Sequence, residues 1–189
     1  MALLSVTLHK YFQDKERKED IITIGLPASF SKKAKSAETL ELRNDLCPLF
    51  VDLKLESDFD TALDLVKTSS RQLKRSFRPY ALYYLNIIMA KLPMSIYIPL
   101  TIDTSAKCTM SLSNVAGPRE PLIYEGCECT KMAVMAPGIH QSSVSFSVIS
   151  IGNSMKISVM TDEILCQRPD EILRLFNDTK AQVLAASQV

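Results

Sequence analysis

Two histidines, five cysteines and a scatter of carboxylates are the side chains in this sequence that could do chemistry. Histidine is the usual acid–base group near neutral pH. His9 falls in an opening helical pattern and His140 in a loop beside Gly138. Neither adjoins a Ser or Cys nucleophile in a recognisable motif, and no G-x-S-x-G occurs. The cysteines stand at 47, 108, 127, 129 and 166, and only Cys127 and Cys129 are close, as C-x-C. A zinc site needs two paired Cys or Cys/His elements, so the spacing reads as scattered reduced thiols. Five glycines are spread singly, with no phosphate-cradling G-x-x-x-x-G-K-[ST]. Carboxylate pairs such as Asp162-Glu163 suit an ordinary surface. Generic motifs therefore assemble no catalytic centre and no metal site.

The elements that would position any site come from a chain of 189 residues, 47% of them apolar, enough for one compact domain over 1–189. Twenty-two basic residues nearly cancel twenty-one acidic ones, for a net charge of +1. Such a balance gives no basic excess to grip a phosphate backbone, and nucleic acid is excluded as a partner. The opening Met-Ala-Leu-Leu-Ser-Val lacks the basic n-region of a secretory signal. The expected location is inside the cell, cytoplasmic or peripheral on the endoplasmic reticulum or plasma membrane.

Leu4, Leu8, Tyr11 and Phe12 recur at helical spacing, with no Ser, Thr or Asp cap before them. Residues 14–20 are all charged with mixed signs and read as a solvated connector. Ile21 to Leu26 reads as a short buried strand closed by Pro27, residues 31–45 as a polar surface loop, and Leu46 to Leu55 as a second strand. Asp58 and Asp60 open a helix with Phe59, Ala62, Leu63 and Val66 on one face and Arg71, Lys74 and Arg75 at its end, which suits the macrodipole. The apolar span 81–102 is long enough to cross a bilayer, but Asn86, Lys91, Pro93 and Pro99 interrupt it. A buried helix followed by an extended segment is the favoured reading; a surface that touches lipid is the alternative.

After Lys107 the pattern turns to β. Cys108 to Leu112 reads as a strand that runs into a turn-rich Ser113 to Pro118, and Leu122 to Tyr124 and Cys129 to Met135 as further short strands. Val144, Phe146 and Val148 alternate with Ser145 and Ser147, Gly152-Asn153 marks a hairpin, and Met155, Ile157 and Val159 return. Pro169-Asp170-Glu171 opens a last helix with Ile172, Leu173, Phe176, Val183 and Leu184 as its stripe. The expected class is α/β or α+β in two layers, a mixed sheet covered by helices.

Ser113-Asn114-Val115-Ala116-Gly117-Pro118, followed by Pro121-Leu122 and Gly126, resembles the Ser-Asn-Val-x-Gly-Pro motif in the C-terminal domain of wax ester synthase/diacylglycerol acyltransferases. The similarity continues in register through the serine-rich strand, the Gly152-Asn153 hairpin with Lys156, Asp162 and the proline-led last helix. Upstream, Ala2-Leu3-Leu4, the charged connector and Ile22 to Ser29 resemble the opening of the same C-terminal half. Two departures stand out. Ser31 occupies a position where members often have Arg, and the family's Asn-Asp pair would fall just before Ala2. The catalytic His-His-x-x-x-Asp-Gly of the family's N-terminal half has no match, since neither His9 nor His140 has the neighbouring residues.

The resemblance implies one lobe of a chloramphenicol acetyltransferase-like, CoA-dependent acyltransferase fold, with the N-terminal catalytic lobe absent from this sequence. It implies acyl-CoA as co-substrate, no permanently bound cofactor, and a fatty alcohol or diacylglycerol as acceptor. The histidine of an N-terminal lobe would act as general base, so the chain itself carries no catalytic residue. Ser113, Asn114, Gly117 and Pro118 are the candidates for the substrate and CoA channel: glycine lets a backbone approach a ligand, and an amide can hydrogen-bond it. The competing structural role for this motif is a turn between strands. Peripheral membrane contact through 81–102 is a further expectation. A fragment or separately encoded half is what the missing motif suggests, and a non-catalytic binding or interaction module derived from the lobe is the alternative.

Overall fold

The computed structural model describes residues 1–31, 45–118, 120, 122–136, 144–152, 154–162 and 169–186. In chain order these form α1 (Ala2–Asp14), β1 (Ile21–Ser29), β2 (Leu46–Lys54), α2 (Phe59–Arg75), α3 (Arg78–Met89) and α4 (Met94–Ala106). Then come β3 (Met110–Ala116), β4 (Leu122–Tyr124), β5 (Cys127–Cys129), β6 (Val144–Ile151), β7 (Ser154–Thr161) and α5 (Pro169–Ala186). Five strands make one sheet in the order β2-β1-β3-β6-β7, and β4 and β5 make a separate hairpin. The inner pairs β1–β3 and β3–β6 are parallel; the outer pairs β1–β2 and β6–β7 are antiparallel.

The period of two along each strand sorts the sheet into two unlike faces. On one face Ile22, Ile24, Leu53, Met110, Leu112 and Phe146 form the core with Leu4 and Leu8 of α1 and Ile172 and Phe176 of α5. Ile24 and Phe146 are sealed from water, and the Phe146 and Phe176 rings lie 6.4 Å apart. Burial of each such side chain stabilises the fold by roughly 1.5–3 kcal/mol. Ser5, wholly buried on α1, donates its hydroxyl to the Lys54 carbonyl at 2.6 Å and accepts the Glu56 N–H at 3.0 Å. That one side chain ties α1 to the end of β2.

Asp58 caps α2, accepting the Thr61 N–H and hydroxyl, both at 2.8 Å. The Thr61 backbone N–H, then its hydroxyl, hold the Asp58 carboxyl below the usual carboxylate range. A lowered pKa means the cap supports the helix above the ordinary carboxylate range and is lost as pH falls through the lowered value.

Four expectations need correction. β1 does not stop at Pro27 but runs on to Ser29, with Pro27 paired to Pro48. β3 pairs with β1 only at Ile24 and Gly25, so beyond them that side of β1 is an edge, where a residue without an N–H forfeits no ladder bond. Ser113 to Ala116 are strand rather than turn, because β6 offers a parallel partner at every one of them. The second short strand of the hairpin is Cys127–Cys129, and residues 130–136 have no regular structure. Finally, 81–102 holds no extended segment: α3 and α4 are two helices, broken at Pro93, with no buried residue in either. Among the described residues no helix is long and apolar enough to cross a membrane. Most of the polar loop at 31–45, and Asn153 of the hairpin, lie outside the described residues.

Replacing Ser5 with Ala leaves the Lys54 carbonyl and the Glu56 N–H without their buried partner. The expected loss is about 1–3 kcal/mol of unfolding free energy, read from the urea midpoint at unchanged slope.

Candidate functional site

Parallel strands in one sheet leave their carboxyl ends on the same side, where ligand crevices of open α/β sheets lie. At that end of β3 burial falls away: Met110 to Leu112 are buried, Ser113 is half-buried, and Asn114 to Ala116 are exposed. Asn114 follows Met110 and Leu112 on their face of the sheet, paired with Val148. Its amide is hydrogen-bonded to none of the described residues. An exposed amide that can both donate and accept is equipped to meet a polar ligand group.

Gly117 and Pro118 have a structural duty. A Cβ on Gly117 would overlap the Ser150 carbonyl oxygen at the end of β6. The Pro118 carbonyl accepts the Gly152 N–H at 3.1 Å. The Gly-Pro pair thus seats the end of β3 against the β6–β7 turn, where Gly152 has a φ of 51°. Of the four motif candidates, Gly117 and Pro118 hold the strand end in place, Asn114 is exposed and bonded to none of the described residues, and Ser113 faces the other side of the sheet.

That other side carries a row of hydroxyls that generic motif reading did not single out. Ser111 donates its hydroxyl to Ser145 across the β3–β6 pair at 2.8 Å, with both side chains buried. Ser147, also buried and paired in register with Ser113, accepts the Ala136 N–H at 2.9 Å. The row binds the irregular 130–136 segment to the sheet. Ser145 and Ser147 are visible in the sequence as the polar half of an alternating strand, but their partners are not.

Other reactive groups stand apart from this strand end. Burial pushes the Cys47 and Cys108 thiols up, which keeps them protonated and unreactive. Cys127 and Cys129 lie on the β4–β5 hairpin, Cys127 exposed. Among the described residues no group of three or more His, Cys, Asp or Glu side chains could hold a metal ion. His9 is half-exposed on α1, and His140 and Cys166 lie outside the described residues. An apolar cleft of about 300 Å³ between α2 and the β1–β2 pair, lined by Leu26, Val51, Leu53, Leu65, Val66 and Leu73 among others, contains none of the motif residues. Asp52, Lys54, Ser69 and Ser70 are its polar lining and form no recognisable catalytic or metal-binding motif, so the strand end remains the candidate.

The two roles separate on substitution. Gly117→Ala must push back the β6 backbone and is expected to cost about 1–3 kcal/mol in denaturant unfolding. Asn114→Ala, at an exposed position without a described partner, should stay within about 0.5 kcal/mol of the parent in the same measurement.

The family model described as the WS/DGAT C-terminal domain matches residues 44–181. In structure the chain is similar to a wax ester synthase/diacylglycerol acyltransferase from Marinobacter aquaeolei VT8, at a TM-score of 0.56 and 14% identity, covering 96% of this chain and 41% of that one. It is also similar to the epimerization domain from the third module of tyrocidine synthetase B, at a TM-score of 0.57 and 10% identity over 98% of this chain and 40% of the other. A condensation domain that mediates chain release from the enacyloxin polyketide synthase gives 0.52 and 10% over 94% and 33%. The chain thus spans about two-fifths or less of these structures. No curated protein matches it in sequence. The mixed five-stranded sheet and its helices are those of a chloramphenicol acetyltransferase-like lobe. The match over 44–181 takes in β2, α2, α3, α4, β3 to β7 and most of α5, and with it the chain belongs to the WS/DGAT C-terminal domain family.

Proposed function

We propose that this chain is the C-terminal lobe of an acyl-CoA-dependent O-acyltransferase that makes wax esters or triacylglycerol, and that it works only with a histidine-bearing N-terminal lobe. The observation that carries this reading is the family match over 44–181 in a chain covering 41% of a wax ester synthase/diacylglycerol acyltransferase structure. In the assembled enzyme a histidine of the other lobe removes the proton from the acceptor hydroxyl. The freed oxygen attacks the thioester carbonyl, the carbon–sulfur bond breaks, and the proton passes to the departing CoA thiolate. A positioned base of this kind contributes about 10²–10⁴-fold.

The present lobe forms one wall of the substrate channel. Asn114, exposed at the carboxyl end of β3, hydrogen-bonds a polar group of acyl-CoA or of the acceptor. Gly117 and Pro118 hold that strand end in position through Ser150 and Gly152. The acceptor, a fatty alcohol or diacylglycerol, is itself a lipid, so the enzyme meets it as a peripheral protein on a membrane.

The test supplies acyl-CoA with a long-chain alcohol or with diacylglycerol. The chain alone should form no ester, and addition of an N-terminal lobe carrying His-His-x-x-x-Asp-Gly should restore turnover. In the restored enzyme Asn114→Ala should lower kcat/KM by about tenfold, the worth of one hydrogen bond to substrate. Robust turnover by the chain alone would refute the need for the second lobe. Acyl-CoA binding without turnover in the presence of that lobe would mark a non-catalytic binding module instead.

A further inference from the structure

A helix that is apolar on every side belongs in a protein interior or in lipid. α3 has such a sequence, yet the lobe covers only part of it. Its inner stripe (Pro79, Leu82, Tyr83, Asn86, Met89) is half-buried at helical spacing. Tyr83 on that stripe stacks on Phe30 at 4.3 Å and donates its hydroxyl to Asp45 at 3.1 Å. The opposite side is just as apolar and is open to solvent: Tyr80, Tyr84, Leu85, Ile87 and Ile88 are exposed, Ile88 by 62%. Phe77 before the helix and Leu92 and Met94 after it are exposed too, and Ile96, Ile98 and Leu100 are exposed on α4.

Charge tells what these side chains fit. From residue 65 to residue 102 the chain contains Lys67, Arg71, Lys74, Arg75, Arg78 and Lys91 and not one Asp or Glu. The whole protein, by contrast, carries a net charge of only +1. Lys67 pairs with Asp64; the other five are exposed and form no ion pair with the described residues. Arg75 and Arg78 flank one end of α3 and Lys91 the other, so cations sit at both ends of an apolar rod about 18 Å long. Four of the six tyrosines (80, 83, 84 and 97) fall in the same stretch. Tyrosines and long cations beside exposed apolar side chains are the chemistry of the lipid headgroup boundary.

We infer that the α3–α4 segment lies flat on a membrane surface carrying anionic lipid, its exposed apolar side chains sunk among the headgroups and Lys74, Arg75, Arg78 and Lys91 against their charges. This deepens the proposed acyltransferase reading by naming the surface and the lipid charge through which the lobe meets its lipid acceptor.

Sedimentation of the full chain with phosphatidylcholine vesicles, and with vesicles in which about one-third of the lipid is phosphatidylserine, tests the inference. Binding to the anionic vesicles is expected, weaker on neutral ones and declining as salt rises. Each cation near such a surface is worth about fivefold in affinity, so Lys74→Glu, Arg75→Glu and Arg78→Glu together should weaken anionic binding on the order of 100-fold. Tyr84→Ser, Ile88→Ser and Leu92→Ser together should weaken binding to both vesicles; all six positions are exposed, and circular dichroism checks that the variants stay folded. The chain has no tryptophan, so Phe77→Trp gives a single reporter whose emission should shift to the blue on anionic vesicles, whereas Ile123→Trp on β4 should not shift.

Failure to sediment with either vesicle, or binding untouched by the charge reversals, would overturn the inference. So would slowed hydrogen exchange across α3 and α4 on adding an N-terminal lobe but not vesicles, which would assign the segment to a protein. Ester formation from acyl-CoA with an N-terminal lobe added, measured alongside, keeps the two readings apart. Its survival when vesicle binding fails overturns only the membrane face. Its absence when vesicle binding holds overturns only the acyltransferase reading.

Discussion

The parallel pairing of β1, β3 and β6 is the constraint from which the rest of this lobe follows. Parallel neighbours cannot be joined by a tight turn, so the chain must leave the sheet and return to the same end before it can pair again. It does so twice. Between β1 and β3 it inserts β2 and the three helices α2, α3 and α4; between β3 and β6 it inserts the β4–β5 hairpin. The excursions bring the strand ends bearing Ser29, Ala116 and Ile151 to one side of the sheet, and the motif residues stand there.

Parallel sheets usually bury both faces under apolar side chains. Here α1 and α5 cover one face that way, while the other buries Ser111, Ser145 and Ser147 beside Ile149. A buried hydroxyl is tolerable when it has a partner, and these find one another or the Ala136 N–H. The second face is therefore held by directed bonds to an irregular segment, where the first is held by area. The lobe is thus asymmetric, with its apolar core on one side and a thin polar layer on the other.

Strict alternation made β2, β6 and β7 legible from the sequence, and Asp58 with the basic residues after it made α2 legible. The prolines misled. Pro27 reads as a strand end but sits where β1 has no second neighbour, and Pro99 reads as a break but lies inside α4. On a strand edge a proline forfeits no ladder bond, whereas inside a helix it loses one and crowds the carbonyl four residues back, and the sequence does not say which setting awaits it. The span 81–102 was hardest to read, because an apolar segment carries no mark of whether protein will cover it. At the candidate site the motif from Ser113 to Pro118 was legible as a resemblance. The duty of Gly117 was not, because its reason is a carbonyl on Ser150, far away in the chain.

That contact also bears on how such a lobe can diversify. The end of β3 is located by β6 and its turn, through Ser150 and Gly152. The connection from Pro118 to Val144 can then gain or lose length without moving Asn114. Variation in that connection can reshape the approach to the strand end while the anchor itself stays fixed.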